Sequence, residues 1–213
     1  MATLPLTPFT LQGGCFCNAV RYTISVPALE SRPLVTESVK PKNPLGPQGE
    51  ATKRLPIITI DHCNSCRRVS GTMFECWFIC PQTWISFSLL PRSSKGQDEA
   101  ESRITPASAL ETLRPGAGLL ETTYLSHFSS SKDVHRTFCG RCGTNLTYHD
   151  SGDDEMAAED KWGPNFDVAL GTLDKESAEM EGVRPTRQGW HEYGIGWVKQ
   201  MVGNGDWIGD SGA

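Results

Sequence analysis

Two cysteines and a carboxylate lie close together in the middle of the chain, in the segment Asp61-His62-Cys63-Asn64-Ser65-Cys66-Arg67-Arg68. Thiolates, imidazoles and carboxylates are the side chains that bind zinc in proteins, and a Cys-x-x-Cys spacing lets both sulfur atoms reach one ion at about 2.3 Å. Further pairs stand at Cys15/Cys17 and at Cys139/Cys142. Closely spaced cysteines without an export signal indicate metal binding, with a redox pair as the alternative.

Six paired cysteines are too many for one structural zinc, which takes four ligands in a tetrahedron. The pairs Cys15/Cys17 and Cys139/Cys142 are flanked by glycines and make a closed set of four thiolates. We therefore expect them to bind a structural zinc that joins two distant parts of the chain. Because zinc binding contributes about 10–16 kcal/mol in zinc peptides, this site should decide whether the domain folds.

The remaining candidates, Asp61, Cys63 and Cys66, offer three ligands and leave one position open, which is typical of catalytic zinc. In the alternative interpretation the site is structural and is completed by His62, His149 or His191. Arg67 and Arg68 favour the catalytic interpretation, because guanidinium groups beside the metal suit an anionic substrate.

Alternating and β-branched segments predict the strands that position these ligands. They fall at residues 20–26, 57–60, 73–80, 84–89, 144–148 and 166–174, with further order at 119–128 and 136–139. The 57–60 strand delivers Asp61 at its end, where a rigid element can position a ligand. Cys76 and Cys80 lie in an apolar strand and are expected to be core residues.

Two stretches rich in proline, glycine and charge interrupt this pattern, at residues 27–56 and 91–118. Both are expected to be surface insertions, the second with a short helix near residues 107–113. The chain is therefore predicted to be a single zinc domain over residues 1–213, mainly β, with two long loop insertions.

The charge of the chain argues against a nucleic-acid partner. Its 213 residues carry a net charge of −5, whereas phosphate binding needs a dense basic surface. No signal sequence or membrane-spanning run is evident, which predicts a cytoplasmic protein that binds no membrane. The expected partner is a small molecule, and the oligomeric state is left open.

Three ordered motifs resemble one known family. They are Gly14-Cys15-Phe16-Cys17-Asn18-Ala19-Val20-Arg21-Tyr22, His62-Cys63-Asn64-Ser65-Cys66-Arg67-Arg68-Val69-Ser70-Gly71, and Arg136-Thr137-Phe138-Cys139-Gly140-Arg141-Cys142-Gly143-Thr144 with Ser130-Ser131 before it. Together with Leu170-Gly171-Thr172-Leu173-Asp174 and His191, they resemble the glutathione-dependent formaldehyde-activating (GFA) family, also called the centromere-protein-V/GFA domain. The resemblance spans roughly residues 13–200, apart from the two insertions.

The resemblance implies antiparallel sheets of the Mss4-like type, with one structural and one catalytic zinc in each chain. It also implies a carbon–sulfur lyase that joins formaldehyde to glutathione as S-hydroxymethylglutathione. Cys15, Cys17, Cys139 and Cys142 correspond to the structural ligands, and Cys63 and Cys66 to two of the catalytic ligands.

One position departs from the family pattern. Asp61 stands where the family usually has the first cysteine of its central motif. A carboxylate keeps the ligand charge, but oxygen donates less electron density than sulfur and should leave the metal a stronger Lewis acid. The expected catalytic residues are Asp61, Cys63 and Cys66 around the metal, Arg67 to attract a carboxylate-bearing substrate, and His191, with His62 as an alternative, to move protons.

Two other functions compete with glutathione chemistry. The altered ligand and the insertions, which could reshape the pocket mouth, favour the same fold acting on a different small molecule, in a biosynthetic lyase or ring-modifying step. The other competitor is a non-enzymatic zinc-binding interaction module.

Overall fold

The structure is a computed structural model that describes residues 3–35, 43–45, 50–94, 102–153 and 164–203. Most of its regular structure is β, as predicted, and the strands form two sheets. The strands are β1 (Phe9–Gly14), β2 (Val20–Val26), β3 (Asn43–Pro44), β4 (Ile57–Asp61), β5 (Glu75–Pro81), β6 (Ile85–Leu89), β7 (Leu125–Ser131), β8 (Val134–Cys139), β9 (Asn145–Asp150), β10 (Asn165–Ala169) and β11 (Arg187–Gly189). The α-helices are α1 (Asn64–Ser70), α2 (Ala109–Leu113), α3 (Ala117–Thr122), α4 (Lys175–Ala178) and α5 (Gly196–Gly203).

The smaller sheet has the order β1-β2-β6, and the larger sheet has the order β3-β11-β4-β5-β10-β9-β8-β7. Every pairing between these strands is antiparallel except that of β4 with β11, which is parallel. The larger sheet is therefore mixed, and the pairing as a whole is mostly antiparallel, as expected. The long connection from β4 to β11 permits the parallel pairing, because parallel neighbours need a crossover of a dozen or more residues.

Residues that pair across neighbouring strands form rows that cross the larger sheet, and the side chains of adjacent rows face opposite sides of it. One row runs Arg136, Tyr148, Asp167, Ile79 and Ile57 across β8, β9, β10, β5 and β4. The next row runs Thr137, Thr147, Val168, Phe78 and Ile58, and all five are buried. Because side chains alternate along a strand, this second row faces the core while the first faces the other side.

The main core lies between the two sheets. Ile24 and Phe87 of the smaller sheet belong to the same buried cluster as Phe78 and Phe166 of the larger one. Cys80 is fully buried in this cluster, which confirms its prediction as a core residue. Cys76 is only partly buried and packs in a separate cluster with Ile60 and Val198.

The insertions differ from each other. Among the described residues of the first, β3 and two single 3₁₀ turns, Leu29–Ser31 and Glu50–Lys53, are the regular elements. The second contains the predicted helix as α2, but this helix is not confined to the surface. Ala109 and Leu113 are buried in the main core, and so this part of the insertion contributes to folding. Parts of both predictions, residues 36–42, 46–49 and 95–101, lie outside the described residues.

In the part of the chain that the structure describes, no helix has the length and apolar character needed to span a bilayer.

Candidate metal sites and pocket

The first group of four cysteines lies where two hairpin turns meet. Cys15 and Cys17 follow β1, Cys139 ends β8, Cys142 lies in the turn before β9, and their sulfur atoms lie within 4.8 Å of one another. Cys17 Sγ is 3.6 Å from Cys15 Sγ and 3.7 Å from Cys139 Sγ. A tetrahedral zinc with 2.3 Å bonds requires about 3.8 Å between sulfur atoms. The four residues therefore fit such an ion.

Surrounding groups support thiolates at this site. The Val20 N–H donates to Cys15 Sγ at 3.2 Å, and Thr144 Oγ1 lies 3.2 Å from Cys142 Sγ. Burial opposes ionisation of Cys142, but hydrogen bonds from Thr144 and Cys17 outweigh it and lower the pKa of Cys142 to about 6. All eight cysteines are free thiols, so no disulfide competes with metal binding.

The second group comprises Asp61, Cys63 and Cys66, whose ligand atoms also lie within 4.8 Å of one another. Asp61 ends the fully buried strand β4, and Cys63 precedes helix α1, whose first turn carries Cys66. The helix ends at Gly71, which has φ of 71°. Glycine adopts this left-handed conformation without a steric penalty. A strand end and a short capped helix thus bring the three side chains together.

Both oxygens of Asp61 accept hydrogen bonds from the protein. The Cys63 N–H donates to Oδ1 at 2.7 Å, and the Trp77 indole Nε1–H donates to Oδ2 at 3.0 Å. Each oxygen of an ionised carboxylate has a second acceptor position, and so these contacts leave room for a metal. They also orient the carboxylate, as outer-sphere partners of metal ligands do.

No fourth His, Cys, Asp or Glu joins this group among the described residues. His62 points elsewhere: its Nε2 lies 2.8 Å from Gln188 Oε1, and its ring contacts the ring of His191. His149 lies opposite His135, on the same side of the sheet as Thr137 and Thr147. Glu75 lies opposite Asp61 in the β4–β5 register, and burial raises its pKa. The donor set fits a metal with an open position.

A pocket of about 250 Å³ opens beside the second group. Besides Asp61, Cys63 and Cys66, its walls include Ser130, Arg136, Tyr148, Asp167 and Trp190. Burial raises the pKa of Tyr148, so its phenol stays protonated at neutral pH. Trp190 has φ of 53° and is 58% exposed. The pocket therefore has a polar floor and an aromatic rim.

Arg136 is buried in this pocket wall, with 2% of its surface exposed. Its Nη2–H donates to Cys66 Sγ at 3.4 Å, its Nε–H donates to Ser130 Oγ at 3.1 Å, and its guanidinium carbon lies 4.8 Å from the Tyr148 ring centroid. Burial raises the pKa of the Cys66 thiol and the Asp61 charge adds to this, whereas Arg136 favours the thiolate.

The residues predicted to assist the metal lie outside the pocket wall. Arg67 donates to Asn64 Oδ1 at 2.7 Å on the surface of α1, and Arg68 is exposed. His191 contacts His62, with ring centroids 5.6 Å apart. The structure thus brings together Asp61, Cys63 and Cys66, but it places Arg67 and His191 elsewhere.

Four residues of the site and its pocket carry no functional signal in the sequence: Arg136, Tyr148, Asp167 and Trp77. Arg136 lies three residues before Cys139 in the third cysteine motif, where the cysteines are the stronger chemical signal. Local sequence can indicate that Arg136 and Thr137 face opposite sides of a strand. It cannot indicate that Arg136 pairs with Tyr148 to form the pocket wall, because this depends on the register between β8 and β9.

No protein-family model matches this sequence, and comparison with curated proteins gives no match.

Proposed function

We propose that this protein is a zinc-dependent carbon–sulfur lyase of the GFA type, with an Mss4-like fold, that acts on the adduct of a thiol and a carbonyl compound. The observation that supports this most is the three-member group Asp61, Cys63 and Cys66 at the wall of a pocket. The three cysteine motifs support the family assignment.

Zinc in this group would polarise a carbonyl oxygen and lower the pKa of a substrate thiol. When the adduct forms, the thiol loses its proton, its sulfur bonds to the carbonyl carbon, and the carbonyl oxygen gains a proton. When the adduct is cleaved, the carbon–sulfur bond breaks and the two protons move in reverse.

The pocket side chains would direct these transfers. Tyr148, whose phenol stays protonated at neutral pH, can donate a hydrogen bond to an oxygen that gains negative charge. Arg136 hydrogen-bonds Cys66 and so draws electron density away from that ligand. Trp190, on the pocket rim, shields the reacting atoms from water on its side.

The test combines metal content with turnover. We expect two zinc ions per chain by mass spectrometry, and faster exchange between glutathione, formaldehyde and their adduct by NMR than in buffer. Cys63→Ser should lose one zinc and the acceleration. Cys76→Ser is the matched control, because Cys76 belongs to neither cysteine group. Two bound zinc ions without acceleration would contradict the glutathione activity.

A second candidate is the same chemistry on a smaller substrate, and the pocket size favours it. About 250 Å³ is below the roughly 300–1,000 Å³ of pockets that enclose drug-sized ligands, which favours a substrate smaller than the tripeptide. Comparing exchange rates for glutathione and for short thiols would separate the two. A preference for glutathione of about tenfold or more would contradict the small-substrate alternative.

A further inference from the structure

Arg136 is the most unusual charged residue of the pocket. It is buried, and none of the described carboxylates forms an ion pair with it. A guanidinium group has five N–H donors, of which one bonds Ser130 and another bonds Cys66. Its Nη1 is buried and makes no hydrogen bond to any described residue. Leaving a buried charged donor unsatisfied is costly, and this points to a ligand.

A metal bound by Asp61, Cys63 and Cys66 would explain part of the positive charge that Arg136 places in the wall. One carboxylate and two thiolates around a divalent ion leave a net charge of −1, which the guanidinium group offsets. An incoming anion would then meet a nearly neutral environment, whereas without Arg136 it would be repelled. Because Arg136 contacts the ligand atom Cys66 Sγ at 3.4 Å, an anion bound to it lies next to the metal position.

The opposite part of the wall has different electrostatics. Asp167 lies in the same residue row as Arg136, two strands away, with Tyr148 between them. Strands are about 4.8 Å apart, and so the two backbones are separated by roughly 10 Å. Among the described residues that line the pocket, Arg136 is the one cation, and so the wall offers a charge partner to one carboxylate.

We propose that the pocket takes a monoanionic substrate, a short thiol that carries one carboxylate, with the carboxylate bound to Arg136. Arginine suits this because its planar fork matches a carboxylate with two parallel hydrogen bonds. The inference rests on the proposed function, since it assigns the substrate class of the same site. It replaces Arg67 by Arg136 as the residue that recognises the anion.

The test measures binding rather than turnover. Zinc-loaded protein is titrated by calorimetry with 3-mercaptopropionate and with its uncharged methyl ester. We expect the acid to bind about 10- to 100-fold more tightly than the ester, which is the factor that one hydrogen bond to a charged group contributes. Mercaptosuccinate, with two carboxylates, should gain no affinity over 3-mercaptopropionate, because Arg136 is the one cation among the described lining residues.

Arg136→Gln should remove the preference for the acid over the ester, even where loss of the hydrogen bond to Cys66 changes both affinities together. The ester also serves as an internal control, because loss of metal or of fold would lower both affinities. Arg136→Lys keeps the charge without the fork and should retain part of the preference if the glutamine variant does not fold. Lys175→Gln, which removes an exposed cation outside the pocket wall, should change neither affinity.

The outcomes separate the two proposals. If wild-type protein binds both thiols equally, the inference about Arg136 is wrong while the proposed thiol chemistry stands. A preference for the acid that persists in both Arg136 variants would show that the metal itself binds the carboxylate, and would also overturn the inference. If neither thiol binds to wild-type protein, the proposed function is wrong and the inference falls with it.

Discussion

Asp61 has two structural partners besides any metal, the Cys63 N–H and the Trp77 indole. The first of these contacts is also the hydrogen bond of an ordinary Asx turn before a helix. A turn role and a ligand role therefore make different demands on the same side chain. A turn needs only an oxygen acceptor, whereas a metal site needs the negative charge.

Asp61→Asn separates these roles, because it keeps an oxygen acceptor and removes the charge. We expect affinity for the second zinc to fall by more than the roughly 10- to 100-fold typical of losing an outer-sphere partner, while Asp61→Cys should retain the metal. Competition with a chromophoric chelator measures both. If Asp61→Asn binds the second zinc as tightly as the wild type does, Asp61 stabilises the turn and is not a metal ligand.

Trp77→Phe tests the orientation of that carboxylate. The substitution keeps most of the buried ring but removes the donor to Asp61 Oδ2, and we expect about 10-fold weaker binding of the second zinc. The four-cysteine site should be unaffected. Trp84→Phe, at a partly buried tryptophan packed against the core, is the control. An equal loss in the two variants would indicate a general effect of tryptophan removal.

Among the secondary-structure elements, α1 is short, and its stability depends on the glycine that follows its last turn. Gly71 has φ of 71°, and nothing lies within 4 Å of the position that a Cβ would occupy. A substitution there is therefore limited by backbone conformation and not by space. Gly196, at the start of α5, also has open space but lacks a positive φ.

Gly71→Ala should destabilise the protein by about 1 kcal/mol, because alanine is strained in the left-handed region. Gly196→Ala should be neutral or stabilising by up to about 1 kcal/mol, because it reduces the entropy of the unfolded chain. Urea unfolding of the two variants measures the difference. Similar changes in both would show that the end of α1 does not need glycine.

The sequence predicted the elements with strong local signals. The β-branched run at 57–60 became β4, the alternation at 20–26 became β2, and the cysteine spacings predicted both candidate metal groups. It did not predict β1 as a strand, because glycines such as Gly13 and Gly14 weaken a strand signal. The structure pairs Gly13 with Tyr22, and a Cβ at Gly13 would lie 2.4 Å from the Tyr22 hydroxyl, so close approach explains this glycine.

The pocket was less predictable because strands distant in sequence create it. Arg136 and Tyr148 become neighbours only through the β8–β9 register, and Asp167 joins them through β10. The parallel contact of β11 with β4 likewise depends on a long crossover. Local periodicity carries no information on such pairings, whereas it does predict which residues share a face.

For the whole molecule, the four-cysteine group connects the two sheets. Cys15 and Cys17 follow a strand of the smaller sheet, whereas Cys139 ends β8 of the larger sheet and Cys142 lies in the turn between β8 and β9. Structural zinc binding contributes about 10–16 kcal/mol, which is comparable to the total stability of a typical domain.

Cys139→Ser should therefore prevent stable folding, and a strong chelator should unfold the wild-type protein. Circular dichroism with and without chelator measures both effects. Cys63→Ser, in the other group, should lose its metal but retain a cooperative unfolding transition. If Cys139→Ser unfolds at the same urea concentration as wild type, the site has no structural role.

A cluster of three histidines, His127, His135 and His149, should make stability depend on pH. His127 Nε2 and His135 Nδ1 are 3.0 Å apart, and the His135 ring stacks on that of His149. Burial lowers the pKa of His127 and His135, and neighbouring imidazoles lower both further. Arg114 acts in the same direction on His135, while Asp133 and Asp150 oppose it.

Because these pKa values are lowered in the folded state, the unfolded chain binds more protons below its ordinary histidine pKa of about 6.5. Stability should therefore be full above that pH and decrease as the pH falls toward 5.5. The double variant His127→Gln/His135→Gln should show a shallower decrease in urea unfolding from pH 7.5 to 5.5. Neither histidine belongs to a candidate metal group, and so metal release should affect the wild type and the double variant alike. An identical dependence of stability on pH in the two proteins would rule out these histidines as the cause.

The two-sided row pattern of the larger sheet also bears on protein engineering. Arg136, Tyr148 and Asp167 alternate with Thr137, Thr147 and Val168, which face the core. A mutant library confined to the first three positions would vary the proposed recognition residues while the neighbouring core-facing layer stays intact. This scaffold should accordingly tolerate changes of substrate range that would unfold a protein whose binding residues also form its core.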